Sequence, residues 1–155
     1  MRRTVFVLCA VLLCVVAMGS DSPREYDGLA QELNPLQGKW RALKVEVADK
    51  TGGKIICTAP EWADVIFEDE RYSWGWGDGY SRLTSSRGTC TFDFSKSPGR
   101  LDLTDLTGQA AGVTRRCNYR IDGETLQIVS TTGHPDFRPE TFDGPVTIYT
   151  LKREK

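Results

Sequence analysis

The sequence has few of the residues and none of the short motifs that commonly carry enzyme chemistry. His134 is the single histidine among 155 residues. No C-x-x-C pair, G-x-S-x-G or H-E-x-x-H motif or phosphate-binding P-loop is present. These absences remove the common sequence signatures of zinc sites, serine hydrolases and nucleotide-binding proteins. We therefore assign no catalytic residue, metal site or cofactor from the sequence.

Long hydrophobic runs are also absent. The longest, Val5–Met18, has 14 residues, whereas a transmembrane helix needs about 20. Two arginines precede this run, and Ala17 and Gly19 occupy the −3 and −1 positions of a signal-peptide cleavage site. We predict a signal peptide over residues 1–19 and a periplasmic or secreted protein with no membrane span after cleavage. An uncleaved anchor is the alternative.

Neither sign of charge dominates the chain. It has 20 Lys and Arg and 21 Asp and Glu residues, and loss of Arg2 and Arg3 with the signal peptide lowers the net charge from −1 to −3. Nucleic acid and anionic membrane surfaces attract proteins with an excess of basic residues, so both are poor candidates for a partner here. The length that remains suits one domain.

Cysteine is scarce after the predicted cleavage site. Cys57, Cys90 and Cys117 remain, and an odd number leaves at least one thiol unpaired in an oxidising compartment. Strand patterns place Cys90 and Cys117 on either side of the Leu101–Leu103 strand, so we expect buried thiols rather than a disulfide. Cys57, near a loop, is the candidate for reaction or pairing.

The rest of the chain consists mainly of short strand patterns. Ser22-Pro23-Arg24-Glu25 is a capping box that predicts a short helix within residues 20–35, which Asn34-Pro35 ends. A turn at Asp69-Glu70 would pair Phe67 with Tyr72 and Val65 with Trp74, with all four side chains on one apolar face.

A second hairpin is predicted by Asp122-Gly123, which would pair Tyr119 with Leu126 and Cys117 with Ile128. In the first strand, Leu43 and the two valines that follow it alternate on one face, whereas Trp40 is out of phase. We therefore expect a β-bulge or a strand end at Trp40.

These patterns predict an all-β domain over residues 36–155. The expected fold is an antiparallel up-and-down, lipocalin-like barrel of eight or nine strands, preceded by the short N-terminal helix. Strands with one apolar face favour a sheet that closes on itself, because closure removes exposed edges. A two-layer sandwich is the alternative.

Ordered landmarks run along nearly the whole mature chain: Leu36-Gln-Gly-Lys-Trp40, Val45-Glu-Val47, Phe67-Glu-Asp-Glu-Arg-Tyr72, Leu101-Asp-Leu-Thr104, Tyr119-Arg-Ile-Asp-Gly-Glu-Thr-Leu126, Arg138-Pro139 and Leu151-Lys-Arg153. In this order and spacing they resemble the Planctomycetes uncharacterised domain, an exported lipocalin-like domain of unknown function. The resemblance implies the barrel and carries over no catalytic residue.

The resemblance also implies structural roles for Gly38 and Trp40. In lipocalin-like barrels the Gly-x-Trp tryptophan closes one end beneath a basic residue of the last strand, which Lys152 or Arg153 would supply through a cation–π contact. The family usually has glycine at the position of Asp69, and aspartate tolerates the left-handed backbone expected there.

Five aromatic residues are candidates for a ligand site. Tyr72, Trp74 and Trp76 follow one another at strand spacing, and Phe92 and Tyr119 are predicted to face the same interior. We favour a core role for Tyr72 and Trp74. Trp76 is the preferred ligand residue, because the glycines around it allow close approach of a ligand.

Two sets of charged residues are expected to lie on the protein surface. Asp93, Asp102 and Asp105 lack a calcium-loop pattern, so we expect solvated carboxylates. The basic residues of the last three strands are expected to form salt bridges on the barrel exterior. They are Arg115, Arg116, Arg120, Lys152 and Arg153.

Three functions are compatible with this sequence. We favour a non-catalytic binding module for a small apolar ligand or an envelope protein. The second is a structural or interaction domain with a solid core that acts through loops Gly75–Arg87 and Ser130–Thr141. The third is an envelope hydrolase, which would need His134 to lie in a cleft within hydrogen-bond reach of a nucleophile or a carboxylate such as Asp136.

Overall fold

A computed structural model describes residues 34–60, 63–76 and 84–155. These residues form nine strands and no helix. The helix predicted before Asn34 lies outside the described residues. The strands are β1 (Gly38–Ala48), β2 (Lys54–Thr58), β3 (Asp64–Glu68), β4 (Arg71–Trp76), β5 (Thr84–Asp93), β6 (Gly99–Asp105), β7 (Thr114–Asp122), β8 (Thr125–Thr131) and β9 (Val146–Arg153).

Eight of the nine strands close into an antiparallel barrel. From β3 to β9 each strand pairs with the next in sequence, and β9 pairs back onto β1. The first part of β1, Gly38–Arg41, pairs with β3, and its second part, Lys44–Ala48, pairs with β2. The predicted up-and-down barrel of eight or nine strands is therefore confirmed. The part of the chain that the structure describes contains no helix capable of spanning a membrane.

The barrel interior is lined by the alternate side chains that the strand patterns predict. The β3–β4 hairpin confirms the expected register, with Phe67 opposite Tyr72 and Val65 opposite Trp74. Asp69 in its turn has a φ of 54°, the left-handed backbone expected there. The largest fully buried side chains include those of Leu36, Trp40, Phe67, Leu101, Leu103, Leu126, Ile128 and Leu151.

The predicted register of the β7–β8 hairpin is wrong by two residues. Tyr119 lies opposite Ile128 rather than Leu126, and the two-residue turn consists of Gly123 and Glu124. Gly123 has a φ of 56° at the first central position, where a type II′ turn requires a positive value. Because the shift is even, every side chain keeps its predicted face.

A bulge is present in β1, but not at Trp40. The pairing with β9 shifts between Ala42 and Lys44, so Leu43 is the extra residue. Trp40 and Ala42 before the bulge, and Val45 after it, are buried, whereas Leu43 is 43% exposed. The expectation that Leu43 shares a face with Val45 is wrong because one inserted residue reverses the side-chain phase.

Candidate functional site

One end of the barrel is closed by Trp40. The guanidinium of Arg153 lies 4.1 Å from the centre of the Trp40 ring, and its Nη1 donates to the Gln37 carbonyl oxygen at 2.8 Å. The indole Nε1 donates to the Leu36 carbonyl oxygen at 2.8 Å. Lys152, the other basic residue considered for this contact, is exposed. The end of β9 is thereby attached to the start of β1.

Aromatic rings fill the same closed end. Phe92 makes an edge contact with Phe67 at 5.9 Å and stacks on Phe94 at 5.8 Å, while Phe94 meets the ring of Tyr119 at 6.3 Å. The Tyr119 ring covers Gly99 so closely that a Cβ atom there would lie 2.3 Å from it. Phe92 and Tyr119 therefore serve in packing at this end.

The opposite end contains a cavity of about 720 Å³ between the described residues. The rings of Trp74 and Tyr149 meet edge to face in its wall, with 4.7 Å between their centroids. Val45 and Val47 of β1 extend the apolar surface. The remaining lining residues are Cys57, Ser86, Asp105, Thr107, Gly108, Gln109, Ala110, Arg115 and Thr147.

Beside this apolar wall lies a buried network of three polar side chains. The Tyr72 hydroxyl donates to Oδ1 of Asp105 at 2.5 Å. Nη2 of Arg115 lies 3.2 Å from Oδ1 and 3.2 Å from Oδ2 of the same carboxylate. Asp105 is 1% exposed, whereas the Arg115 side chain is 25% exposed. The Arg115 guanidinium also lies 5.4 Å from the centre of the Trp74 ring.

Gly88 makes this network possible. The strand registers place Tyr72, Gly88 and Asp105 opposite one another in a row across β4, β5 and β6. A Cβ atom at Gly88 would lie 1.9 Å from the Thr104 carbonyl oxygen and 2.7 Å from the Tyr72 ring. Without a side chain between them, the phenol of Tyr72 crosses β5 and reaches the Asp105 carboxylate.

The network keeps its protons in place. Burial raises the pKa of Tyr72, and its hydrogen bond to Asp105 raises it further, so the phenol remains a donor at neutral pH. Burial disfavours the charged form of Arg115, but attraction by Asp105 together with Tyr72 and Tyr149 more than offsets this and raises the pKa of the guanidinium. Nε of Arg115 is buried and has no hydrogen-bond partner among the described residues.

All three cysteines of the described chain are free thiols. Cys57 is exposed near the end of β2, close to the loop that follows, and lines the cavity. Cys90 and Cys117 are buried, and burial raises the pKa of each thiol to about 12. As expected, β6 separates them, because Cys90 pairs with Leu103 and Cys117 with Leu101.

The structure separates the five aromatic residues that the sequence suggested for ligand binding. Trp74 lines the cavity and Tyr72 belongs to the adjacent polar network, whereas Phe92 and Tyr119 lie at the closed end. The side chain of Trp76 lies outside the described part of the structure. The cavity at the open end is lined by Trp74 but not by Tyr72, Phe92 or Tyr119.

Two residues of this site were expected on the surface. Asp105 was assigned to a solvated carboxylate group and Arg115 to exterior salt bridges, but the structure places both inside the barrel wall. The alternation of side chains along β6 and β7 already indicated that both residues face inward. Asp105 follows Leu101 and Leu103 at strand spacing, and Arg115 precedes Cys117 at the same spacing, so each lies on the inward face.

Among the described residues, His134 has none of the neighbours that a hydrolase site would require. It is exposed in the loop after β8, where its ring meets the Phe137 ring edge to face at 6.0 Å. No described side chain forms a hydrogen bond with the imidazole. The described residues also contain no group of three His, Cys, Asp or Glu side chains arranged to hold a metal ion.

The chain matches no family model and no curated protein.

Proposed function

We propose that this chain is a small-molecule binding protein that holds a largely apolar ligand in the cavity at the open end of the barrel. The observation that carries the proposal is the combination of an apolar wall, formed by Trp74 and Tyr149, with the polar Arg115–Asp105 pair beside it. Small-ligand sites typically combine mainly apolar walls with a few polar groups that fix orientation.

The dimensions of the cavity support a small molecule. Small-ligand sites usually have volumes of about 300–1,000 Å³, and this one has about 720 Å³. The solid packing of Phe92 and Tyr119 limits the ligand to one end of the barrel. The ligand would therefore enter at the mouth rather than thread through the interior.

We also propose that the protein is exported. The signal-peptide pattern before Gly19 supports release into the periplasm or medium, where the ligand would be collected. Edman sequencing of the protein recovered from its own host tests this step. A mature chain beginning near Ser20 supports export, and an intact Met1 in the cytosol contradicts it.

Cys57 supplies a direct test of ligand binding. Its exposed thiol lines the cavity, whereas the other two described thiols are buried. We expect 2-naphthylmethanol, a compact aromatic alcohol, to bind and to slow alkylation of Cys57 by a fluorescent maleimide at least fivefold. Calorimetric titration measures the binding, and mass spectrometry after digestion identifies the labelled cysteine.

Matched substitutions then locate the site. Val47→Trp places a large ring on the cavity side of β1 and should abolish both binding and protection. Ile56→Trp places the same ring on β2 at an exposed position outside the cavity lining and should change neither. Binding that survives Val47→Trp, or failure of the unmodified protein to bind either 2-naphthylmethanol or its carboxylate analogue 2-naphthoate, would contradict the proposed function.

One observation favours the alternative of an interaction domain. Strand β2 pairs only with β1 among the described strands, and Ile55 and Ile56 are 65% and 59% exposed. An apolar strand edge is a surface on which another strand can pair. Sedimentation velocity tests self-association through this edge. If the protein sediments as a monomer at all concentrations, and Ile56→Lys does not change its sedimentation coefficient, self-association through this edge is contradicted.

A further inference from the structure

We propose that the ligand carries an anionic head, a carboxylate in the first instance, which binds the guanidinium of Arg115. This inference rests on the proposed binding function and specifies the ligand class. It assigns the apolar body of the ligand to the wall formed by Trp74 and Tyr149, and the charged head to the polar network beside that wall.

The two members of the ion pair differ in their access to the cavity. Asp105 is 1% exposed, and its two carboxylate oxygens accept hydrogen bonds from Tyr72 and Arg115. The Arg115 side chain retains 25% of its surface. A ligand in the cavity therefore meets the positive member of the pair, while the negative member is covered by its protein partners.

The guanidinium also has hydrogen-bonding capacity that the protein does not use. Arginine carries five N–H donors, arranged to fit the two oxygens of a carboxylate. The contacts to Asp105 are made through Nη2, and Nε has no acceptor among the described residues. Nε itself is enclosed by the protein, so a ligand carboxylate would bind the part of the guanidinium that faces the cavity and would leave the contact with Asp105 in place.

The positions of Tyr72 and Asp105 indicate that they hold Arg115 in place. The Asp105 carboxylate binds the Arg115 guanidinium, and the Tyr72 hydroxyl donates a hydrogen bond to that carboxylate across Gly88. We treat both as positioning residues. Because Asp105 already balances the charge of Arg115, the preference for an anion comes from directed hydrogen bonds, and we expect it to be about tenfold rather than a thousandfold.

Two probes that differ only in the head group test the inference. 2-Naphthoate and 2-naphthylmethanol share the same ring system, and calorimetric titration of the full mature protein gives their dissociation constants. We expect the carboxylate to bind about tenfold more tightly than the alcohol. Arg115→Lys keeps the ion pair but loses the planar fork, so the preference should fall below threefold while the alcohol binds as before.

A double variant and a control separate specific from general charge effects. Arg115→Gln combined with Asp105→Asn removes both charges together and should abolish the preference. Arg116→Gln removes the next arginine of β7, which is exposed on the outer face, and should leave the preference unchanged. Tryptophan fluorescence during urea unfolding shows whether each variant is folded. If the double variant does not fold, Arg115→Lys alone tests whether Arg115 causes the preference for the carboxylate.

The outcomes distinguish the two proposals. Equal affinity for both probes would overturn the anionic head and leave the binding function standing. Loss of the preference in Arg116→Gln, or its survival in both folded Arg115 variants, would also overturn the assignment to Arg115. If the unmodified protein binds neither probe, the proposed function fails and this inference fails with it.

Discussion

Tyr72 shows how a side chain expected in an apolar core acquires a polar role. Its ring is buried, as its alternation with Trp74 predicts, but its hydroxyl reaches the Asp105 carboxylate two strands away. A buried carboxylate needs hydrogen-bond donors to replace water. The residue therefore contributes both apolar burial and a charge-assisted hydrogen bond.

Replacing Tyr72 by phenylalanine isolates the hydrogen bond. We expect Tyr72→Phe to lower the free energy of unfolding by about 1.5–3 kcal/mol, because one donor to a buried carboxylate is lost. Urea unfolding followed by tryptophan fluorescence measures the change. Tyr119→Phe is the matched control, since the Tyr119 hydroxyl makes no hydrogen bond with the described residues, and a cost equal to that of Tyr72→Phe would contradict the role of Asp105.

The buried thiols predict a loss of stability at alkaline pH. Burial raises the pKa of Cys90 and Cys117 to about 12, whereas an unfolded cysteine titrates near 8.5. Above about pH 8.5 the unfolded chain releases thiol protons that the folded chain keeps. The contribution of these thiols to the free energy of unfolding is therefore fully present below about pH 8.5 and is lost as the pH rises toward 12.

Each buried thiol should contribute a slope of up to about 1.4 kcal/mol per pH unit within this window. Urea unfolding under reducing conditions at pH 8 and pH 10 measures the slope. Cys117→Ala should make it shallower, whereas Cys57→Ala, at an exposed position, should not. An identical slope in the two variants would show that Cys117 ionises equally in both states.

At the scale of elements, the segment 132–145 between β8 and β9 covers part of the outer barrel surface. Arg138 donates to the Asp102 carboxylate and to the Cys117 carbonyl oxygen, and Asn118 Nδ2 donates to the Pro139 carbonyl oxygen at 2.6 Å. Asn118, a polar residue of β7, is 6% exposed for this reason. The segment acts as a strap across β6 and β7.

Removing the strap's arginine should loosen it without opening the barrel. We expect Arg138→Ala to lower the free energy of unfolding by about 1–2 kcal/mol. The partly exposed ion pair with Asp102 contributes little, but the hydrogen bond to the Cys117 carbonyl oxygen is lost and alanine cannot replace it. Hydrogen exchange should accelerate at the Arg116 amide, which donates to the Pro135 carbonyl oxygen. Lys96→Ala, at an exposed position, is the control; unchanged exchange in Arg138→Ala would contradict the strap.

At the scale of the whole molecule, closure depends on pairing between the first and last strands. Arg153 near the end of β9 connects them by its contact with Trp40 and by its hydrogen bonds to the carbonyl oxygens of Pro35 and Gln37. These contacts join residues more than a hundred positions apart in sequence. They allow a chain of local hairpins to become a closed barrel.

Substitution of Arg153 tests this closure. Arg153→Met keeps much of the apolar stem but removes the cation–π contact and both hydrogen bonds, and we expect it to destabilise the protein by about 1–3 kcal/mol. Lys152→Met, the exposed neighbour, should cost less than about 0.5 kcal/mol. Equal midpoints for the two variants in thermal unfolding would argue against a special role for Arg153.

The sequence by itself determined the strand class, the inner and outer faces of most strands and the β3–β4 register, since alternation and turn chemistry are local properties. It also contained the inward phase of Asp105 and Arg115, although their charge favoured a surface assignment. The position of the bulge at Leu43 and the exact pairing of β7 with β8 depend on neighbouring strands, so local pattern placed them incorrectly.

Only the tertiary structure decided which end of the barrel is filled and which is open. Phe92, Tyr119 and Trp74 have the same strand pattern, yet two of them pack at the closed end and one lines the cavity. Their separation depends on how far along the barrel axis each strand places its residues, and that stagger arises from pairing across the closed sheet. The same pairing brings Tyr72, Asp105 and Arg115 together, because a sheet joins residues by position across strands rather than by distance along the chain.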